Sequence, residues 1–149
     1  MKHNSAKNQW LVVVAMFFFF MLAVLPASSL AEGVTIVVNK EVPVESVSAD
    51  DIHKIFLGKK TTWESGEKII FAVWADSKTQ AVFFREYVKK SPPQFKNYWK
   101  SMVFTGKGTM PSTFKSEEEV LEFVKSTKGA IAFVSEAEDK EVKKVKVEE

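Results

Sequence analysis

The chain has 149 residues, of which 21 are Lys or Arg and 19 are Asp or Glu, so its formal net charge is +2. This length leaves room for one globular domain, and the balanced charge lacks the basic footprint of a nucleic-acid-binding protein. No cysteine is present, which excludes disulfide bonds, thiol catalysis and a lipid-modified cysteine. A domain of this size without disulfides must depend on its hydrophobic core.

The first predicted element is a targeting segment, residues 1–31. Two lysines precede an apolar run of 16 residues, Trp10–Leu25, and small residues follow up to Ala31. This order is typical of a secretory signal peptide cleaved between Ala31 and Glu32. An uncleaved anchor is the alternative, although about 20 residues are needed to cross a bilayer comfortably. Either reading predicts that residues 32–149 are exported, to the periplasm or the medium, and these residues carry 19 basic and 19 acidic side chains.

The exported part begins with a predicted strand and a predicted helix. The stretch Val34–Lys40 is rich in β-branched residues and is bounded by turn residues, which predicts a strand. Ser48 opens the helix, because Asp51 stands three residues later and apolar residues recur at helical spacing up to Phe56. Gly58 then ends it, as a glycine after a helix C-terminus commonly does.

A second strand and two further helices follow. Ile69–Trp74 is a nearly continuous apolar run, which favours a strand covered on both faces, as in a parallel sheet. Asp76 or Ser77 would cap the next helix, whose apolar stripe reaches Lys89. Ser91 would cap the helix after it, since a proline occupies the first helical position.

The last part of the sequence predicts a loop, a helix and a buried strand. The loop is Thr105–Thr113, with two glycines and a proline. Ser116 opens a helix through a capping box with the glutamate three residues later, and Gly129 would end it. Ala130–Ser135 is a short apolar strand. The tail, residues 141–149, is slightly favoured as an edge strand guarded by lysines over an irregular charged tail. One α/β domain results.

Two segments resemble motifs of the substrate-binding proteins of phosphate transporters, which belong to the type 2 periplasmic binding protein superfamily. "IFLGKKTTWESGEKI", residues 55–69, resembles the segment in which a helix ends at IF-x-G and runs on to a Trp and a turn. "KGAIAFV", residues 128–134, resembles the PGAIGYV strand entry of those proteins. The resemblance implies a non-enzymatic solute-binding domain in which helices flank a mixed, mostly parallel sheet.

This sequence also departs from that family in two respects. Members normally close two lobes around a ligand, whereas residues 32–149 suffice for a single lobe. In the phosphate-binding members, a strand runs into an Arg-Ser-Asp-Gly-Ser-Gly-Thr-like turn that grips the anion. Here the corresponding stretch is Trp74–Gln80, in which Asp76 is retained, Trp74 stands in place of the arginine and both glycines are absent. The resemblance thus implies a small anion as ligand, with its specificity for phosphate left open.

The best candidate site on physical grounds is Ser77, Lys78 and Thr79, with Asp76 and Lys107 as weaker candidates. The first three residues lie between a buried strand and a helix, where unpaired amides and the positive end of the helix dipole attract anions. Hydroxyl and ammonium groups add further donors. The alternative is that Asp76 or Ser77 only caps the helix and that Lys78 is solvated.

Other kinds of site are not predicted. "TGKGT", residues 105–109, lacks the spacing of a nucleotide-binding loop and follows a helix instead of a strand. His53 is the single histidine of residues 32–149, so no metal site or cofactor is expected. Nothing marks an activated nucleophile or base, so no catalytic residue is expected. Trp63, Trp74 and Trp99 are predicted to line the core or a groove.

Two functions of different class follow. The first is weak binding of a small anion such as phosphate by a single lobe, with a membrane transporter or sensor as partner. The second is an interaction module that has lost ligand binding and either docks onto a membrane protein or associates with itself. A single lobe exposes the surface that its missing partner would cover, and exposed apolar patches usually mediate association. The sequence alone does not rank the two.

Overall fold

The computed structural model describes residues 33–75, 77–136 and 140–149. The predicted leader, its cleavage site and Asp76 lie outside these ranges. Within them, no helix has both the length and the apolarity needed to cross a bilayer. Residues Glu32–Glu149 form one compact unit.

Six strands and four helices make up the described part of this unit. The strands are β1 Thr35–Asn39, β2 Ser46–Ser48, β3 Ile70–Trp74, β4 Ser112–Phe114, β5 Ala130–Val134 and β6 Val142–Glu148. The helices are α1 Ala49–Phe56, α2 Lys78–Phe83, α3 Pro92–Phe104 and α4 Glu117–Ser126, and five π-helical residues, Phe84–Val88, prolong α2. The short strands β2 and β4 were not predicted from the sequence.

The six strands form one sheet in the order β2-β6-β1-β5-β3-β4. Strand β1 is antiparallel to both of its neighbours, whereas the pairs β2–β6, β5–β3 and β3–β4 are parallel. Five strands therefore run in one direction and β1 in the other, which confirms the mixed, mostly parallel sheet. The tail forms a strand, but its predicted place at the edge is wrong. Strand β6 lies inside the sheet because β2 pairs with it on its outer side, Val47 opposite Val147.

The two faces of the sheet bury side chains of different size. All five residues of β5 are buried, and they alternate between the faces. Ile131 and Phe133 belong to a large cluster with the aromatic side chains of α1, α2 and α3. Ala130, Ala132 and Val134 belong to a smaller cluster that α4 covers. Three helices thus pack on one face and one helix on the other.

The helix starts follow local sequence signals. Each of the four helices is preceded by a serine whose hydroxyl accepts a hydrogen bond from the amide three residues later; these N-caps are Ser48, Ser77, Ser91 and Ser116. The capping boxes at Ser91 and Ser116 are complete. The prediction that Gly129 ends α4 is wrong, because the helix stops at Ser126. Gly129 instead enters β5, where an added Cβ would clash with the carbonyl oxygen of Lys68.

The IF-x-G segment is a helix exit, as predicted. The amides of Gly58 and Lys59 bond back to the carbonyls of Ile55 and Lys54, at 3.0 and 2.7 Å, which is the Schellman pattern. Gly58 has φ +68°, and a Cβ built on it would lie 2.7 Å from Cη2 of Trp99. The indole N–H of Trp99 donates to the carbonyl of Phe56 at 3.1 Å. Helix α3 therefore holds the end of α1.

Gly58 and Gly106 provide a matched test of this contact. Both end a helix with nearly the same φ, +68° and +69°, but a Cβ on Gly106 would meet nothing within 4 Å. We expect Gly106→Ala to lower the free energy of unfolding by about 1 kcal/mol, the cost of the left-handed conformation. Gly58→Ala should lower it by about 1 to 3 kcal/mol more, because Trp99 must shift. Urea unfolding measures both, and equal losses would contradict the packing described.

Candidate functional site

Three loops meet at the carboxyl ends of the parallel strands β5, β3 and β4. Ala75, Lys115 and Ser135 are the residues that directly follow β3, β4 and β5, and all three line one cleft of about 610 Å³. Among the described residues, the lining is Trp74, Ala75, Ser77, Lys78, Thr79, Lys115 and Ser135. We refer to it as the carboxyl-end cleft.

The topology explains why a cleft forms there. The chain leaves β3 toward the face covered by α2 and α3, and it leaves β4 toward the face covered by α4. Two neighbouring parallel strands whose connections diverge in this way leave a crevice beyond their carboxyl ends, which is where open α/β sheets bind ligands. The position of the cleft is therefore a consequence of the strand order.

Ser77, Lys78 and Thr79 all line this cleft, but they are not equally accessible. The Ser77 hydroxyl accepts the amide of Gln80 at 2.9 Å and so caps α2. Thr79 is only 3% exposed, whereas Lys78 is exposed. Ser77 and Thr79 thus have structural roles in addition to any role in binding, and the accessible cationic group of this loop is Lys78.

Lys107 does not join these residues. It follows α3 and lies in a different depression of about 390 Å³, near residues that precede or begin β3 and β4, such as Ile69 and Ser112. That is the amino end of the strands, opposite to the end that Lys78 occupies. Lys115 and Ser135 were not predicted as site residues from the sequence. Lys115 was not recognised as a residue at a strand end because β4, the strand before it, is only three residues long and shows no strand pattern in the sequence.

A carboxylate of the protein binds Ser135, one of the residues that line the cleft. Glu117, in the first turn of α4, accepts the amide of Ser135 at 2.7 Å and the hydroxyl of Ser135 at 2.9 and 3.0 Å. It also accepts the amide of Glu136 at 3.3 Å. The amides of Ser135 and Glu136 and the hydroxyl of Ser135 therefore form a set of donors, just after β5, that binds an anionic oxygen. Glu117 supplies that oxygen from within the chain.

Trp74, which the resemblance in sequence placed where an arginine would stand, has a structural role. Its indole N–H donates to the carbonyl of Lys115 at 3.3 Å, and the amide of Ala75 donates to the carbonyl of Phe114 at 2.9 Å. These bonds hold the loops after β3 and β4 together. The indole thus maintains the shape of the cleft but brings no positive charge to it.

The other residues singled out in the sequence have structural partners. His53 Nδ1 donates to the carbonyl of Tyr87 at 2.9 Å, which ties α1 to the π-helical segment. Trp63 and Trp99 are buried, and the Trp63 indole donates to the carbonyl of Gly129 at 3.1 Å. Among the described residues, no three His, Asp or Glu side chains come close enough together to hold a metal ion.

Comparison with known proteins assigns the chain to a family. The profile of a family described as a PBP superfamily domain matches residues 29–149. The chain belongs to this family. Its fold is similar to an ABC-type phosphate transport receptor from Vibrio cholerae, with a TM-score of 0.58 and 20% identity over 77% of this chain and 46% of that one. No match was found among curated proteins.

Two further solved structures have a fold similar to that of this chain. A putative phosphate ABC transporter substrate-binding protein with bound phosphate from Clostridium perfringens gives a TM-score of 0.59 and 21% identity, over 77% of this chain and 44% of that one. PstS from Borrelia burgdorferi gives a TM-score of 0.57 and 15% identity, over 76% of this chain and 46% of that one. The chain thus spans less than half of each of these PBP structures. The single-lobe PBP fold predicted from the sequence is confirmed.

The Glu117 contacts can be tested against a neighbour in the same helical turn. We expect Glu117→Ala to lower the free energy of unfolding by about 1 to 2 kcal/mol, because the half-buried Ser135 amide and hydroxyl lose their acceptor. Glu118→Ala removes the same charge from an exposed position in that turn, so it controls for the interaction with the helix dipole. Thermal or urea unfolding compares them, and equal effects would mean that the contacts to Ser135 contribute nothing.

Proposed function

We propose that this PBP-family domain is an exported, non-enzymatic binding domain that holds a small oxyanion, such as phosphate, in the carboxyl-end cleft. The observation that carries the proposal is the convergence of three loops, after β3, β4 and β5, on one cleft that contains Lys78 and Lys115. Two of the similar structures are described as phosphate-transport proteins and one contains bound phosphate, which supports the choice of anion.

The chemistry of the cleft suits an oxyanion. The first amides of α2 lack partners within the helix and, together with the helix dipole, favour negative charge. Helix α2 and its π-helical continuation extend from Lys78 to Val88, which gives the dipole its length. As a donor, the Ser77 hydroxyl makes a single long contact with the described residues, 3.5 Å to the carbonyl of Trp74. Its proton can therefore turn toward a ligand while its oxygen still caps α2.

Three features limit the expected affinity. Trp74 provides no charge-assisted bidentate contact of the kind that an arginine gives, and such contacts are among the strongest. The described single lobe leaves the cleft open to water, which screens electrostatic attraction. Glu117 places a negative charge on Ser135, which lines the cleft. We therefore expect a dissociation constant on the order of 0.1 to 1 mM, or about 4 to 5.5 kcal/mol of binding free energy.

We also propose that residues 1–31 direct export and are removed between Ala31 and Glu32. The order of basic, apolar and small residues supports this. N-terminal sequencing of the exported protein should give Glu32 as the first residue. Recovery of the chain from the membrane with Trp10–Leu25 still attached would contradict cleavage and favour the anchor.

The second candidate function is an interaction module that binds no small ligand and docks onto a membrane transporter or sensor, or onto a second copy. One observation favours it: Val103, Phe104 and Met110 are 42%, 92% and 49% exposed. Apolar side chains exposed close together in sequence are typical of surfaces that associate.

Anion binding can be measured by following amide shifts of labelled protein during titration with phosphate and, separately, with sulfate. We expect shifts centred on Ser77–Gln80 and Lys115. The double variant Lys78→Ala/Lys115→Ala should weaken binding by about tenfold or more, because it removes both lysine charges from the cleft. The control Lys59→Ala/Lys144→Ala changes the net charge equally at exposed positions outside the cleft.

A further variant tests the internal carboxylate. Glu117→Gln keeps an acceptor for Ser135 but removes the negative charge, so anion affinity should rise by a few-fold, since two unit charges about 4 Å apart in bulk water interact by about 1 kcal/mol. Absence of any shift at about 10 mM anion, roughly tenfold above the weakest expected dissociation constant, would overturn the binding proposal. The interaction module would then be the better account.

A further inference from the structure

One segment of the chain departs sharply from the overall charge balance. From Lys89 to Lys115 there are six lysines and no acidic residue. The segment includes all of α3 and the loop that joins it to β4. Three of these six lysines, Lys96, Lys100 and Lys107, lie on that helix and loop, although residues 32–149 have no net charge.

Helical spacing places part of this charge on one side of α3. Lys96, Lys100, Val103 and Phe104 are separated by four, three and one residues, so they share one side of the helix. Phe95 and Trp99, which pack into the core, lie on the adjoining side of the helix. All four of the first set are exposed.

The loop after α3 extends the same surface. Lys107 follows Val103 by four residues through the turn that ends the helix, where its amide bonds the carbonyl of Met102. Met110 lines one depression together with Lys96 and another together with Lys107. We call the set Lys96, Lys100, Val103, Phe104, Lys107 and Met110 the basic–apolar face.

The apolar members of this face are exceptional in the molecule. Val103, Phe104 and Met110 are the exposed large hydrophobic side chains of the described residues, and all three lie here. Phe104, at 92% exposure, is almost completely solvated at the end of α3. None of Lys96, Lys100 and Lys107 forms an ion pair with any described residue. An apolar tip is thus accompanied by unpaired positive charge.

We infer that the basic–apolar face binds the surface of an anionic phospholipid bilayer. Phe104, Val103 and Met110 insert at the boundary between headgroups and acyl chains, while the three lysines contact the anionic headgroups. A protein partner fits this composition less well, because lysine is depleted in protein interfaces. Stable protein interfaces also bury about 800 Å² per partner around a desolvated core, whereas here the apolar residues form a small tip between lysines.

The two kinds of residue contribute in different ways. Each lysine close to an anionic surface strengthens binding by about fivefold, so the three together contribute on the order of a hundredfold. This contribution falls as salt screens the surface potential. The contribution of Phe104 depends on apolar burial and persists at high salt. The anion cleft is not involved, since Lys78 and Lys115 lie outside this face.

Vesicle co-sedimentation tests the proposal. Residues Glu32–Glu149 are suited to the measurement, because this unit closes its own core and lacks the apolar run at the N-terminus. We expect binding to phosphatidylcholine vesicles in which roughly a third of the lipid is phosphatidylglycerol, and binding at least tenfold weaker to pure phosphatidylcholine. Phe104→Ser and the triple variant Lys96→Gln/Lys100→Gln/Lys107→Gln should each weaken binding by about tenfold or more.

The matched control is Lys59→Gln/Lys144→Gln/Lys146→Gln, which changes the net charge equally at exposed lysines elsewhere. It should retain most of the binding. Equal losses in the two triple variants would overturn the proposal in favour of non-specific attraction to net charge. No binding to the anionic vesicles would also overturn it, and concentration-dependent dimerisation lost with Phe104→Ser would then assign the face to a second copy. Since all substituted side chains are exposed, thermal melts should match those of the parent.

Discussion

The stacked rings of Phe83 and Phe133 are the contact on which the rest of the domain depends. Their centroids lie 4.1 Å apart with an interplanar angle of 12°, and both side chains are fully buried. Phe133 belongs to β5, two residues before Ser135, and Phe83 ends α2, whose first turn holds Lys78 and Thr79. This one contact therefore fixes the distance between the two sides of the carboxyl-end cleft. Since the chain has no cysteine, aromatic packing holds these two elements together where a disulfide could otherwise do so.

The unequal faces of β5 explain why the helices divide as they do. The large side chains of Ile131 and Phe133 pack against the aromatic side chains of three helices. The small side chains of Ala130 and Ala132, on the other face, allow α4 to approach the sheet closely. The connections on either side of β4 must then cross opposite faces, and the cleft opens where they separate. Asn39 secures the second face, because its side-chain amide donates to the carbonyls of Val124 and Lys125 at the end of α4.

Features encoded within a few residues were predicted well from the sequence, whereas features that depend on distant partners were not. The serine N-caps and the glycine exit at Gly58 need only neighbouring residues, and they were correct. Strands β2 and β4 have three residues each and exist only through pairing with β6 and β3. The same limit affected the site: Ser77, Lys78 and Thr79 were adjacent in sequence, but the contact between Glu117 and Ser135 spans 18 residues. Lys107 was misplaced because the 13 residues of α3 carry the chain back to the amino end of the sheet.

The distribution of charge links the cleft with the basic–apolar face. In the cleft, Trp74 maintains the loops by a neutral hydrogen bond and Glu117 places a carboxylate on Ser135, so two of its features oppose strong attraction of an anion. On the side of α3, three unpaired lysines surround exposed apolar groups. Lys78 and Lys115 in the cleft are exposed, so salt screens their attraction for an anion just as it screens the attraction by the lysines of the basic–apolar face. The exposed apolar side chains of that face would add a contribution that salt does not screen. High salt should therefore weaken the proposed anion binding in the cleft more than the apolar contribution to the proposed membrane binding.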